Sequence, residues 1–126
     1  MKLSDLRIYE IAMSLGEEVY EILIQWDYFN KDSLGKQWIR AIDSVALNIS
    51  EGFGRYSYKD QCNFYYFSRG SLHESYTCLK KAKNRNLVDD EKFNFLLKEH
   101  EELTIKINKF IKTINELINK NNSKNK

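Results

Sequence analysis

The side chains suited to chemistry are few: His73 and His100, Cys62 and Cys78, and a recurrent polar series. Di-iron carboxylate bundles hold metal through Glu-x-x-His pairs on facing helices. The residues three before the two histidines are Gly70 and Leu97, so neither brings that partner. His100 falls instead in the core register of an apolar series, which predicts a hydrogen-bonded core histidine. No metal site and no cofactor are expected. Cys62 and Cys78 lie 16 residues apart in one continuous helical pattern, roughly 24 Å at the helical rise. That is far beyond the Cα separation of about 7 Å that a disulfide tolerates, so two reduced thiols are expected. Neither cysteine has the flanking motif of a nucleophile, so no catalytic residue is assigned and an enzyme is not expected. Gly52-Phe53-Gly54-Arg55-Tyr56-Ser57 has serine where a dinucleotide fingerprint needs its third glycine, and no strand precedes it.

Arg40, Ser44, Asn48, Glu51 and Arg55 recur at steps of four, four, three and four. That spacing draws a polar line along one helix, well off its apolar seam. A second helix adds Arg69, Gly70, Ser71 and Glu74. Two readings stand: a buried or interfacial ion-pair network of Glu51 and Glu74 with Arg40, Arg55 and Arg69, or a surface that contacts a ligand or nucleic acid. Glycine in mid-helix costs about 1 kcal/mol against alanine, so close backbone packing or another constraint is expected at Gly70.

The elements that position these residues are helices. The first spans about Leu6 to Trp26 and carries two adjoining seams, Leu6-Tyr9-Met13-Gly16-Tyr20-Leu23 and Ile8-Ala12-Leu15-Val19-Ile22-Trp26. Two seams are more than one neighbour covers, which predicts a central helix or one facing another subunit. The second helix spans about Ser33 to Phe53, with Leu34, Trp38, Ile42, Val45, Ile49 and Phe53 inward and Gly52-Phe53-Gly54 as a left-handed stop. Ser57 caps the third helix, which puts Tyr65, Leu72, Tyr76 and Leu79 inward and ends at Asn84-Arg85-Asn86. Asp89 caps the fourth, whose seam Phe93-Leu96-His100-Leu103-Ile107-Phe110-Ile114-Leu117 is uninterrupted. The connections are short, so sequential helices are antiparallel. The expected fold is all-α, an antiparallel up-down-up-down four-helix bundle over residues 1–118, with residues 119–126 a disordered polar tail.

With 126 residues the chain makes one domain, and no stretch nears the roughly 18 to 20 apolar residues of a membrane span. Met1-Lys2-Leu3-Ser4-Asp5 shows no signal peptide, so a cytoplasmic protein with no membrane partner is expected. A net charge of +2 is only mildly basic. The densest cationic run, Lys80, Lys81, Lys83 and Arg85, closes the third helix. It is the candidate for nucleic-acid contact, or else complements the dipole at the helix end.

Gln37-x-x-Arg40-Ala41, then Ser44-Val45-Ala46-Leu47-Asn48-Ile49-Ser50-Glu51-Gly52-Phe53-Gly54-Arg55, then Arg69-Gly70-Ser71-Leu72-x-Glu74 resembles the signature of a bacterial family of small four-helix-bundle proteins. Some of its members are encoded within intervening sequences of 23S ribosomal RNA genes, and the accessory variability protein of diversity-generating retroelements is similar to them. The chain departs from the common pattern by having Trp26-Asp27-Tyr28-Phe29, with no proline, at the first interhelical turn. The resemblance implies the bundle and a ring-shaped homopentamer. It implies no settled activity, and it raises RNA or DNA as a partner. A fivefold ring would raise the charge of +2 to about +10. The expected function is that of a non-enzymatic oligomer binding nucleic acid or a nucleoprotein partner, with no small-molecule substrate. The alternative is a protein-interaction scaffold with no nucleic-acid role.

Overall fold

A computed structural model describes residues 1–124 of the chain. Four long helices form an antiparallel bundle: α1 (Arg7–Leu23), α2 (Lys36–Phe53), α3 (Tyr58–Asn84) and α4 (Asp90–Lys124). Helix α2 packs between α1 and α3, and α4 closes the bundle against α3 and α1. A short 3-10 turn, Leu3–Asp5, precedes α1.

The apolar seams explain the packing. In α1, Ile8, Ala12, Leu15 and Val19 are buried. The Leu6–Leu23 seam divides: Leu6, Gly16 and Leu23 are buried, whereas Met13 and Tyr20 stay 45% and 47% exposed. Helix α1 packs on α2 and α4, which leaves its outward edge uncovered among the described residues. The seam of α2 is closed tightly, with Leu34, Trp38, Ile42, Val45 and Ile49 all buried.

The α1–α2 connection differs from the expectation of a plain loop before Ser33. A single turn, Tyr28–Asn30, runs into a π-helical stretch, Lys31–Gly35, and from there into α2. The widened turn accounts for Gly35. A Cβ there would lie 3.1 Å from the Asn30 carbonyl oxygen and 3.6 Å from the Trp26 ring. Trp26 fastens the connection across the bundle, its Nε1–H donating to the Leu87 carbonyl at 3.0 Å.

Both expected N-caps form: Ser57 Oγ accepts from the Asp60 N–H at 3.1 Å, and Asp89 Oδ1 accepts from the Lys92 N–H at 2.7 Å. Past the end of α3, Asn86 is the one non-glycine residue with positive φ (58°) among the described residues. Asn86 N–H donates to Lys83 O and Leu87 N–H to Ala82 O, which is the paired closure of a Schellman motif. The end of α2 is built otherwise than expected. Gly54 is right-handed, with φ −78°, so the glycines there supply no left-handed stop. Gly52 is required by packing instead: a Cβ would come within 2.7 Å of the Tyr65 ring and 3.0 Å of the Gln61 carbonyl.

Two further expectations are corrected. Helix α4 continues to Lys124, so residues 119–124, read as disordered tail from their polarity, extend the helix; residues 125–126 of that tail lie outside the described residues. A methyl group on Gly70 would meet nothing within 4 Å, so close backbone packing does not explain this glycine.

Candidate functional site

The polar line on α2 divides into a laced half and an open half. At its centre, Asn48 Nδ2–H donates to the Ser44 carbonyl at 2.9 Å and to Ser44 Oγ at 2.8 Å. Ser71 O–H, from α3, donates to the same Ser44 oxygen at 2.9 Å. Nearby, Ser68 O–H donates to the Val45 carbonyl at 2.8 Å. The Ser71 and Ser68 bonds tie α2 to α3, and the Asn48 bonds fix the Ser44 end of that contact.

The expected ion-pair network of Glu51 and Glu74 with Arg40, Arg55 and Arg69 does not form as one unit. Arg55 pairs with Glu51 at 2.7 Å and reaches Asp60 at 3.8 Å, both exposed, with its guanidinium over the Phe64 ring. Arg69 turns the other way, to α4: it donates to Asn108 Oδ1 at 3.0 Å and lies over the Tyr66 ring. Arg40 is exposed, and neither it nor Glu74 makes an ion pair within 4 Å among the described residues. The correction has a simple cause: helical spacing placed these residues on the same side of their helices, but their long side chains lean to different neighbours.

His100 is a core residue, 1% exposed. Its Nδ1 lies 2.7 Å from the Leu96 carbonyl, which only accepts, so Nδ1 carries the proton. Nε2 is then an acceptor and accepts a hydrogen bond from the Ser75 hydroxyl at 2.7 Å, while Ser75 Oγ accepts from Trp38 Nε1–H at 2.9 Å. Every member of this relay is buried and satisfied. Burial pushes the His100 pKa below its usual 6.5, against the opposing effect of the Leu96 bond. The pair has the atoms of a serine–histidine couple, but its burial leaves no route for a substrate to reach it. Both cysteines are free thiols, buried on α3, and burial raises both pKa values. Cys62 S–H contacts Asn115 Oδ1 at 3.4 Å and Asn115 donates to the Tyr66 hydroxyl at 3.1 Å, a polar clamp between α3 and α4.

The Lys80, Lys81, Lys83 and Arg85 run lies beside the acidic first turn of α4. Lys83 is ion-paired with Asp90. Lys80 lies over the Tyr76 and Phe93 rings at 5.3 and 5.6 Å, and Lys83 over Phe93 at 5.6 Å. Two of the four cations, exposed Lys80 and half-buried Lys83, therefore have partners within the chain, while Lys81 and Arg85 stand exposed.

A second cationic surface is visible only in the folded chain. Helix α4 is electrically polarised. Its first half carries Asp90, Glu91, Glu99, Glu101 and Glu102 against Lys92 and Lys98. From Lys106 onward it carries Lys106, Lys109, Lys112, Lys120 and Lys124 against Glu116. The basic half packs beside the start of α1, where Asp5, Leu6, Arg7, Ile8, Lys106, Lys109, Phe110 and Thr113 line a cleft of about 350 Å³. The signal was present in the order of charges along the last helix. Only the antiparallel packing of α1 on α4 adds Arg7 to it.

On the opposite flank of α1, the groove against α2 is open and more apolar than polar. Tyr9, Met13, Gly16, Glu17, Asp43 and Leu47 line one part of it, and Tyr20, Ile24, Tyr28 and Ile39 the next. Leu47 is 68% exposed. Asp43 lines this groove, its pKa raised first by burial and then by Glu17.

The fold thus defines a small antiparallel helical bundle with laced α2–α3 packing and surface clefts on either side of its first helix. The chain belongs to the 23S rRNA-intervening sequence protein family, whose model matches residues 4–109. Its fold is similar to that of a Bacteroides thetaiotaomicron VPI-5482 protein of unknown function from the S23 ribosomal protein family. The two share 15% identity with a TM-score of 0.74, over 83% of this chain and 98% of that one. A comparison with curated proteins returned no match.

Proposed function

We propose that this chain is a non-enzymatic, self-associating helical bundle that binds nucleic acid, alone or within a nucleoprotein, through a basic surface. The observation that carries the reading is the segregation of charge along α4, which gathers a run of lysines at one end of the helix in a chain whose net charge is only +2. A segregated patch attracts a polyanion where the same charges dispersed would not.

The α1–α2 groove supports self-association. Met13, Tyr20, Ile24 and Leu47 leave apolar surface in water that a second copy would cover. A homopentameric ring is the arrangement the family resemblance favours, and it would multiply the basic end. The chemistry of the core supports a non-catalytic role: Ser75 and His100, the pair best suited to acyl chemistry, are sealed and satisfied by Trp38 and Leu96. No described helix is long and apolar enough to cross a membrane, and a cytoplasmic location is part of the proposal.

A protein scaffold is the second reading, favoured by exposed Leu47 on α2 and Phe67 on α3. Fluorescence anisotropy decides between them, using labelled structured RNA, duplex DNA and single strands at about 50 and 200 mM salt. Binding that weakens steeply with salt is expected. No binding to any probe at the lower salt overturns the nucleic-acid reading and leaves the scaffold.

A further inference from the structure

We infer that the cleft between the start of α1 and the basic half of α4 is the phosphate-contacting surface, with Arg7, Lys106 and Lys109 holding the nucleic-acid backbone; this rests on the nucleic-acid reading above. The Lys80–Arg85 run, the more conspicuous cluster in the sequence, is not that surface.

Positive charge converges at the cleft from two elements. Arg7 comes from one helix and Lys106 and Lys109 from another, and all three line one concave surface. Three cations against the single carboxylate of Asp5 leave the cleft positive, and low-dielectric walls focus that field on whatever enters. Here the walls are Leu6, Ile8 and Phe110, the last packed edge-on to Tyr65 at 4.9 Å between centroids. The nearby acids are weak competitors. Asp5 Oδ2 accepts the Lys2 backbone N–H at 2.9 Å. Glu10 meets Arg7 at 3.5 Å in an exposed pair, 53% and 72% accessible, of the kind worth little in water. Lys106 and Lys109 make no ion pair within 4 Å among the described residues.

The rival cluster has more of its charge engaged within the chain. Lys83 is held by Asp90, Lys80 and Lys83 lie over aromatic rings, and the neighbouring Asp89, Asp90 and Glu91 repel an approaching phosphate. Geometry also separates the cleft from self-association. The apolar groove uses the Tyr9, Met13 and Gly16 flank of α1, and the cleft lies on the flank facing α4. Both are available at once. The cleft's one aromatic ring, Phe110, is half-buried, so contact is with backbone phosphates and tolerant of sequence.

The test is an anisotropy titration of the full chain on a labelled RNA hairpin and a labelled DNA duplex. Three proteins are compared: unmodified, Arg7→Gln/Lys106→Gln/Lys109→Gln, and Lys80→Gln/Lys81→Gln/Arg85→Gln. Removing one phosphate-binding cation lowers the salt slope by about one, so the cleft variant's fall in affinity between about 50 and 200 mM salt shrinks by roughly 40- to 60-fold. The Lys80 variant keeps the unmodified slope. If the cleft variant proves unfolded by circular dichroism, the single exposed changes Lys106→Gln and Lys109→Gln carry the test, each shrinking that fall by about fourfold. Unmodified slopes in the cleft variants overturn this assignment while the nucleic-acid reading stands, whatever the Lys80 variant does. Failure of the unmodified chain to bind either probe overturns both.

Discussion

Replacing Ser75 by alanine removes one oxygen and strands two polar groups. Trp38 Nε1–H loses its acceptor at 2.9 Å and His100 Nε2 loses its donor at 2.7 Å. Neither group has water to turn to, since Trp38 is 0% and His100 1% exposed. An orphaned buried polar group costs about 1–3 kcal/mol, so two cost roughly 2–6 kcal/mol, less whatever relaxation of the rings recovers. Against a typical folding stability of about 5–15 kcal/mol this is a severe loss from a very small change in volume. Urea unfolding at fixed protein concentration measures it, as a lower midpoint at an unchanged m-value. Non-additivity is expected too: Ser75→Ala combined with His100→Phe costs less than the sum of the two, because the second change removes one of the stranded groups. A Ser75→Ala loss below about 1 kcal/mol, or strict additivity, would refute Ser75 as the hub of the relay.

Other perturbations have equally definite outcomes. His100 is buried neutral with its pKa below 6.5, so the unfolded chain binds a proton that the folded chain does not. Its contribution is therefore complete above pH 6.5 and is lost as pH falls from there toward the lowered folded value, by at most about 1.4 kcal/mol per pH unit; urea midpoints in that window should flatten in His100→Gln. Gly52→Ala forces a methyl to within 2.7 Å of Tyr65 and is expected to destabilise by about 1–3 kcal/mol in the same assay. Gly70→Ala meets no neighbour and should stabilise by up to about 1 kcal/mol; loss of the assembled mass in light scattering would instead show that this face is covered by another copy. Glu51→Ala breaks only an exposed pair with Arg55 and should cost under about 1 kcal/mol, whereas Asn48→Ala removes two bonds to Ser44 and should cost about 1–2 kcal/mol.

The fold was legible because the seams of α2 and α4 are long and uninterrupted, and burial follows them from Leu34 to Ile49 and from Leu96 to Ile114. The caps at Ser57 and Asp89 were legible for the same reason that they work: a short oxygen side chain precedes free helical N–H groups. Glycines were read less well. Gly54 resembles a left-handed stop and is right-handed, and Gly52 is explained only by a Tyr65 ring arriving from the next helix. The polar line shows where periodicity ends as a guide. It places Arg40, Arg55 and Arg69 on helix faces, but guanidinium reach, not face, decides that Arg55 takes Glu51 while Arg69 takes Asn108. The cationic cleft was half legible, as the swing from Asp90–Glu102 to Lys106–Lys120, and Arg7 joins it only through tertiary packing.

The most direct test of the proposed function is sedimentation velocity of the full chain with a fluorescent RNA hairpin at about 50 mM salt, repeated at about 200 mM. The RNA is predicted to sediment with several 15.0 kDa chains at the lower salt, and to be released at the higher salt while the protein assembly persists. Protein sedimenting as a single 15.0 kDa chain, with the RNA free at both salts, would contradict the proposed function.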